Sequence, residues 1–162
     1  MKEVFDKIAE RTGKMPNMFS AMARRPDVLK TFLPFYKSIV NQGTVEEKYK
    51  KMAYLRASMV NDCEYCTRAH SASSQRAGVS AERSAALPFY TRSPLFDEKE
   101  NATILNADLV TRAATTIRAA ELQELNKFYD DGQIVELTLA VCIANFTNRF
   151  NDALENIPDL GV

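Results

Sequence analysis

The sequence predicts an all-α protein, because its apolar residues recur at helical spacing along nearly the whole chain. Alternating runs of β-branched residues are missing, and so are Asn-Gly or Asp-Gly connections between strand-like segments. With 162 residues, of which 46% are hydrophobic, the chain can bury the core of one domain, which we expect to span residues 1–162. We therefore expect a single helical bundle.

Proline, glycine and capping residues mark the helix ends in the first half of the chain. Pro34 should kink or interrupt the third helix, and Gly43 should cap its end. Thr44 and Glu47 have the spacing of a capping box, in which each side chain bonds to a backbone N–H of the other residue. The predicted helices span residues 2–11, 16–22, 26–42 and 44–60.

The second half of the chain is divided by similar signals. Asn61 and Asp62 supply cap residues for a helix that ends at Gly78, and Asp97 with Glu100 forms another capping box. Ser80 should cap a shorter helix, followed by an irregular connection. The predicted helices span residues 63–77, 81–87, 98–110, 120–129 and 133–155.

A weak internal echo relates the helix over residues 44–60 to the last helix, because similar aromatic and glycine residues precede both. The echo predicts two weakly similar halves, and superposing the two helices places Glu136 opposite Lys51. Chance similarity between amphipathic helices explains the pattern nearly as well.

Charge and hydropathy exclude several classes of function. The 21 Lys and Arg residues balance 21 Asp and Glu residues, so no excess charge favours nucleic acid or indicates a solvated tail. The chain begins without the pattern of a signal peptide, and no apolar stretch reaches the roughly 18 residues of a membrane span. We expect a cytoplasmic protein with neither nucleic acid nor membrane as a partner. In a reducing compartment, a Cys-x-x-Cys pair is more often catalytic, redox-sensing or metal-binding than a structural disulfide.

The main functional signal lies in residues 61–70, which hold two of the three cysteines and the only histidine. In a helix, at about 100° per residue, Cys63, Cys66 and His70 share one face. Two thiols one turn apart can close a disulfide, and an imidazole one turn beyond can take or return a proton. The constellation predicts a thiol redox centre that needs no cofactor.

Two features can lower a thiol pKa here, and they favour different cysteines. Cys63 follows the expected cap residues, where the helix dipole favours an anion, whereas His70 lies closer to Cys66. The sequence leaves this choice open. The competing interpretations are a pair of small core residues and a zinc site, although Cys-x2-Cys-x3-His lacks a fourth ligand. Cys142 lies among apolar residues and is predicted to be an inert core thiol.

The segment 49–70, YKKMAYLRASMVNDCEYCTRAH, resembles the signature of the carboxymuconolactone decarboxylase family, specifically its alkylhydroperoxidase AhpD-like branch. The resemblance extends to residues 13–19, 96–100 and 136–151. It implies an all-α AhpD-like bundle that assembles as a homotrimer or homohexamer.

The same resemblance implies a peroxidase cycle. Cys66 attacks the peroxide and becomes a sulfenic acid, Cys63 condenses with it to a disulfide, and a dithiol or protein thiol reductant restores the pair. His70 matches the proton-relay histidine of the family. On the choice between the two thiols, the resemblance therefore favours Cys66.

One position departs from the family pattern, which has a glutamate twelve residues before the first cysteine as the base behind the histidine. This chain has Lys51 there. Its charge could lower a thiolate pKa, or it could be a solvated lysine on a helix face. Glu136, embedded in an apolar run, is our candidate for the missing carboxylate, and Glu47 is the alternative.

The leading interpretation is a thiol-dependent peroxidase or disulfide reductase acting on a small peroxide or disulfide, with Cys63, Cys66, His70 and Glu136 as catalytic residues. The alternatives are a non-catalytic redox sensor and a lactone decarboxylase-like enzyme that uses acid–base groups. Tyr65, between the cysteines, is expected to face solvent. Asn145, Asn148 and Arg149 form a polar stripe that suggests a subunit contact or a buried network.

Overall fold

A computed structural model describes residues 5–6, 8–10 and 13–159 and confirms the all-α prediction, since these residues contain no strand. Residues 5–6 and 8–10 of the first predicted helix are helical, and its ends at Lys2 and Arg11 lie outside the described residues. The helices that follow are α1 (Asn17–Met22), α2 (Pro26–Val40), α3 (Glu47–Val60), α4 (Glu64–Arg76), α5 (Ala81–Ala86), α6 (Glu98–Ala113), α7 (Ala119–Asn126) and α8 (Asp131–Ala153). Short 3-10 segments, Leu87–Arg92 and Ala114–Thr116, precede α6 and α7.

Helix α3 forms the centre of the bundle and packs against α4, α6 and α8. Residues 49–58 of α3 are all buried, including three cationic side chains. Buried cations need partners. Arg56 donates from its Nε to a carboxylate oxygen of Asp108 at 2.6 Å, and Lys50 lies 2.7 Å from a carboxylate oxygen of Glu136.

The structure corrects one predicted helix interruption and one predicted helix start. Pro34 neither ends nor interrupts α2, because the buried residues on both sides of it hold the helix against the core at the cost of one backbone hydrogen bond. Thr44 does not cap α3, which begins at Glu47. The Thr44 N–H instead donates to the Glu136 carboxylate at 2.9 Å. The neighbouring Gly43 has a positive φ of 113°, and any side chain there would overlap that carboxylate.

Two other caps follow the sequence closely. The Ser80 side chain accepts from the N–H of Arg83 at the start of α5. Asp97 and Glu100 form the predicted capping box at the start of α6. The predicted starts of α5 and α6 depend on residues three positions apart, whereas the start of α3 depends on a residue in the distant α8.

Helix α8 has one apolar face in the core and a second apolar stripe in solvent. The stripe consists of Val135, Leu139, Cys142 and Phe146, which are all exposed. The prediction that Cys142 is a core thiol is therefore wrong. Both faces of α8 are apolar, so the sequence pattern does not identify the one that packs inward. None of the described helices has the length and apolar character needed to cross a membrane.

Candidate functional site

The two cysteines of the motif lie at the start of α4. Cys63 is the N-cap residue, and its sulfur accepts a hydrogen bond from the Cys66 N–H at 3.5 Å. The prediction that Asn61 and Asp62 cap this helix is therefore wrong. Asp62 instead has a left-handed backbone conformation (φ 56°) that turns the chain from α3 into α4.

Both thiols are buried, but only one of them borders open space. Cys63 is 0% exposed and Cys66 is 2% exposed. Cys66 lines a large cavity, whereas Cys63 does not. The Cys63 sulfur lies behind it, 3.9 Å from the backbone carbonyl oxygen of Asn148. A molecule that enters the cavity therefore meets Cys66 first.

The surroundings of the two sulfurs shift their pKa values in opposite directions. A hydrogen bond from the Cys63 thiol is the largest cause that lowers the pKa of Cys66, and it outweighs the effect of burial. Side chains of Asn148, Asn151 and Thr147 lower it further, and the Asn151 Nδ2 lies 3.3 Å from the sulfur. The same thiol–thiol interaction, followed by burial, raises the pKa of Cys63. These opposite shifts favour Cys66 over Cys63 as the thiol that ionises.

His70 lies one turn beyond Cys66 on α4 and borders the same cavity. Its ring stacks on Tyr54 with 3.9 Å between the ring centroids, and its Nε2 is 3.5 Å from the Tyr36 hydroxyl oxygen. Burial, followed by the positive charge of Lys51, lowers the pKa of His70 to about 3. The imidazole is therefore neutral near pH 7, and its buried Nδ1 has no hydrogen-bond partner among the described residues.

Lys51 lies in the site, at the wall of the cavity, so the interpretation as a solvated surface lysine is wrong. Its side chain is only 7% exposed, and it reaches the carboxylate of Glu47 at 3.7 Å. Burial lowers the pKa of Lys51, and the nearby charge of Arg76 adds to this effect, while Glu47 opposes it.

Glu136 is not brought together with the cysteines and the histidine. Its carboxylate accepts from the N–H groups of Thr44 and Val45 and pairs with Lys50, and it does not line the cavity. Lys50 and Lys51 are adjacent in sequence but point about 100° apart around α3. The Glu136 carboxylate, which neutralises Lys50, therefore lies on a different side of α3 from Lys51.

The cavity between α2, α3 and α4 has a volume of about 1140 Å³, which is slightly above the roughly 300–1000 Å³ of most sites that bind a small organic molecule. Much of its wall is apolar or aromatic and includes Phe19, Leu33, Tyr36, Tyr54 and Tyr65. All the charged groups among its described lining residues are cationic: Lys30, Lys37, Lys51 and Arg76.

Tyr65 and Asn151 have roles that the sequence did not predict, whereas Asn148 takes the buried one of the two alternatives given for its polar stripe. Tyr65 is buried rather than solvent-facing, and its hydroxyl accepts from the Met18 N–H at 3.2 Å and donates to Asp159 at 2.9 Å. Asn148 and Asn151 are buried beside the thiols. The sequence feature that could have identified these asparagines is the row of amides on an otherwise apolar helix.

In the described part of the chain, no group of three or more His, Cys, Asp or Glu residues is placed to hold a metal ion.

Comparison with known proteins gives relatives over most of the chain. The profile of the Carboxymuconolactone decarboxylase family matches residues 26–109. The uncharacterized protein YdfG of Bacillus subtilis (strain 168) is 22% identical over 132 residues, which are 81% of this chain and 89% of YdfG.

Solved structures with the same fold include proteins described by two chemistries. An uncharacterized peroxidase-related protein from Silicibacter sp. TM1040 superposes with a TM-score of 0.87 at 24% identity and covers 98% of this chain and 84% of its own. A variant of the debrominase Bmp8, in complex with 2,3,4-tribromopyrrole, has a TM-score of 0.84 at 22% identity and covers 97% and 84% of the two chains. These likenesses establish a common fold.

Proposed function

The chain belongs to the carboxymuconolactone decarboxylase family, and we propose that it is a thiol-dependent peroxidase in which Cys66 attacks the peroxide and Cys63 completes a disulfide. The observation that supports this proposal best is the difference between the two thiols. The thiol whose pKa is lowered is also the one that borders the cavity, and the thiol whose pKa is raised lies behind it.

The first step forms the nucleophile and breaks the O–O bond. The low pKa of His70 keeps its neutral imidazole from holding a proton, so it relays the proton of the Cys66 thiol towards the leaving oxygen while the thiolate attacks the terminal oxygen of an organic hydroperoxide. An S–O bond forms while the O–O bond breaks, which gives a sulfenic acid on Cys66 and an alkoxide. The alkoxide takes the proton back from His70 and leaves as an alcohol.

The second step closes the disulfide. The sulfur of Cys63 displaces the hydroxyl group of the sulfenic acid, and water leaves with the Cys63 proton. The raised pKa of Cys63 suits this order of events, because this thiol stays protonated and donates to Cys66 until the sulfenic acid forms. A dithiol reductant, or a protein thiol, then restores both cysteines by thiol–disulfide exchange.

The test uses Cys142→Ser as the parent protein, because the Cys142 thiol is exposed and would otherwise react with the reagents. One equivalent of cumene hydroperoxide is added to the parent, to Cys63→Ser and to Cys66→Ser, and the products are identified by mass spectrometry. We expect a Cys63–Cys66 disulfide in the parent, a sulfenic acid on Cys66 in Cys63→Ser, and no rapid oxidation in Cys66→Ser.

Turnover with excess dithiothreitol separates an enzyme from a sensor. Steady consumption of the hydroperoxide by the parent, lost in Cys66→Ser, supports the peroxidase. A disulfide that forms without turnover contradicts the peroxidase and indicates a redox sensor. Hydroperoxide consumption that survives in Cys66→Ser contradicts the catalytic role of the Cys66 thiol.

We also propose that the protein is a homo-oligomer, as a homotrimer or homohexamer. The exposed stripe of Val135, Leu139, Cys142 and Phe146 on α8 supports this proposal, since contiguous apolar surface commonly marks subunit contacts. Light scattering should give a mass of three or six chains, and Leu139→Lys should lower it. A monomeric parent protein would contradict the proposal.

A further inference from the structure

The charges around the cavity are one-sided, although the chain as a whole is neutral. The 21 cationic and 21 acidic residues balance over the sequence. Lys30, Lys37, Lys51 and Arg76 nevertheless line the cavity, and none of its described lining residues is acidic. A concave, partly apolar wall focuses the field of such charges and raises the local concentration of anions.

Lys51 is the cation of this set that the fold buries most clearly. Its side chain is 7% exposed, whereas its nearest carboxylate, on Glu47, is 60% exposed. An ion pair whose acid is mostly in water contributes little, on the order of 1 kcal/mol or less. The ammonium group therefore has lost much of its hydration without gaining a strong partner, and an anionic ligand would supply one.

The position of Lys51 is also close to the reacting groups. Lys51 and Tyr54 lie one turn apart on α3, and the Tyr54 ring stacks on His70. After burial, the positive charge of Lys51 is the second cause that lowers the pKa of that imidazole. His70 and Cys66 are in turn one helical turn apart on α4. The cation, the imidazole and the sulfur thus all line the same cavity.

We propose that the cavity selects substrates with an apolar body and one carboxylate, which Lys51 binds while the reactive end of the molecule lies at Cys66. This inference rests on the proposed function for the identity of the reactive end, a hydroperoxide group. The apolar and aromatic wall would enclose the body of the molecule. Where the family pattern has a glutamate, a lysine thus changes the charge that the site accepts.

Binding of unreactive probes to the reduced wild-type protein tests the inference without turnover. The probes are 4-isopropylbenzoate and 4-isopropylbenzamide, which have similar shape and differ in charge, and calorimetry measures their dissociation constants. We expect the carboxylate to bind about tenfold more tightly or better. Equal binding of the two probes by the wild type overturns the proposal.

Two variants locate the effect. Lys51→Met keeps the length and the apolar stem of the side chain. The ratio of the two dissociation constants should therefore fall to about one, while the affinity for 4-isopropylbenzamide stays unchanged. Lys127→Met is the control, because Lys127 is 58% exposed and pairs with Glu124 away from the cavity. It should keep the full preference. A preference that survives in Lys51→Met overturns the assignment to this residue.

A kinetic comparison connects the inference to the chemistry. Cumene hydroperoxide and its analogue with a para carboxylate are compared by the rate of Cys63–Cys66 disulfide formation. The carboxylated peroxide should react about tenfold faster at low concentration in the wild type and lose this advantage in Lys51→Met. If neither peroxide oxidises the Cys63–Cys66 pair, the proposed function is wrong. The inference about anion selection is decided separately, by the preference for 4-isopropylbenzoate over 4-isopropylbenzamide.

Discussion

Asn151 provides the sharpest test of how the fold activates Cys66. Its Nδ2 donates to the Cys66 sulfur at 3.3 Å, and the residue is 1% exposed. A hydrogen bond to a charged acceptor contributes about 1.5–3 kcal/mol, and one pKa unit corresponds to about 1.4 kcal/mol. Cys63 and the other donors remain in Asn151→Leu, and the contact is long. We therefore expect the pKa of Cys66 to rise by about 1.

The assay is the pH dependence of the iodoacetamide reaction rate, measured in the Cys142→Ser parent, with the modified residue identified by mass spectrometry. Asn145→Leu is the matched control, because Asn145 is an amide on the same helix whose Nδ2 donates to Thr111 rather than to a sulfur. Circular dichroism verifies that each variant keeps its helices. A folded Asn151→Leu variant in which Cys66 titrates as in the parent would refute this account of the thiolate.

Three further changes probe the surroundings of the site. The pKa of His70 is about 3 when folded and about 6.5 when unfolded, so stability should fall as the pH drops from about 6.5 towards 3, by at most about 1.4 kcal/mol per pH unit. Urea unfolding of His70→Gln should show a smaller loss between pH 7 and 5, and an equal loss would contradict the assignment. Glu136→Gln should reduce the free energy of unfolding by about 2 kcal/mol, because Lys50 stays buried without its carboxylate. The rate of Cys63–Cys66 disulfide formation should stay unchanged in this variant, and a slower rate would restore Glu136 as a catalytic candidate. Tyr65→Phe should cost about 1–2 kcal/mol, since the Met18 N–H and Asp159 lose their hydroxyl partner, and an unchanged urea midpoint would argue against that anchor.

The parts of the fold that the sequence predicted are those decided by neighbouring residues. The caps at Ser80 and at Asp97 with Glu100 involve partners three positions away, so their spacing is visible in the sequence. The start of α3 depends instead on Glu136, which reaches Thr44 from 92 positions further along the chain. Continuity through Pro34 is likewise a result of packing on both sides of the residue. Local patterns contain neither kind of information.

The candidate site follows the same division. The Cys-x-x-Cys spacing and the histidine one turn later located the group, but they could not show which thiol borders the cavity. Cys142 was misplaced because two apolar stripes on α8 look alike in sequence. Glu136 was expected at the site because superposing two helices placed it opposite Lys51. That superposition does not show that Lys50, rather than Lys51, points towards Glu136.

The division of labour between the two thiols follows from where they stand in one helical turn. As the N-cap residue, Cys63 precedes the helix and turns its sulfur back over the first turn, where it accepts from the Cys66 N–H. Cys66, inside the helix, points to α8, whose buried amides stabilise its thiolate. One sulfur therefore keeps its proton and donates it towards the other. Because this asymmetry arises from the Cys63 thiol and from side chains of α8 rather than from Lys51, it should persist whatever substrate the cavity selects. A change at Lys51 should therefore alter selectivity while Cys66 still reacts first.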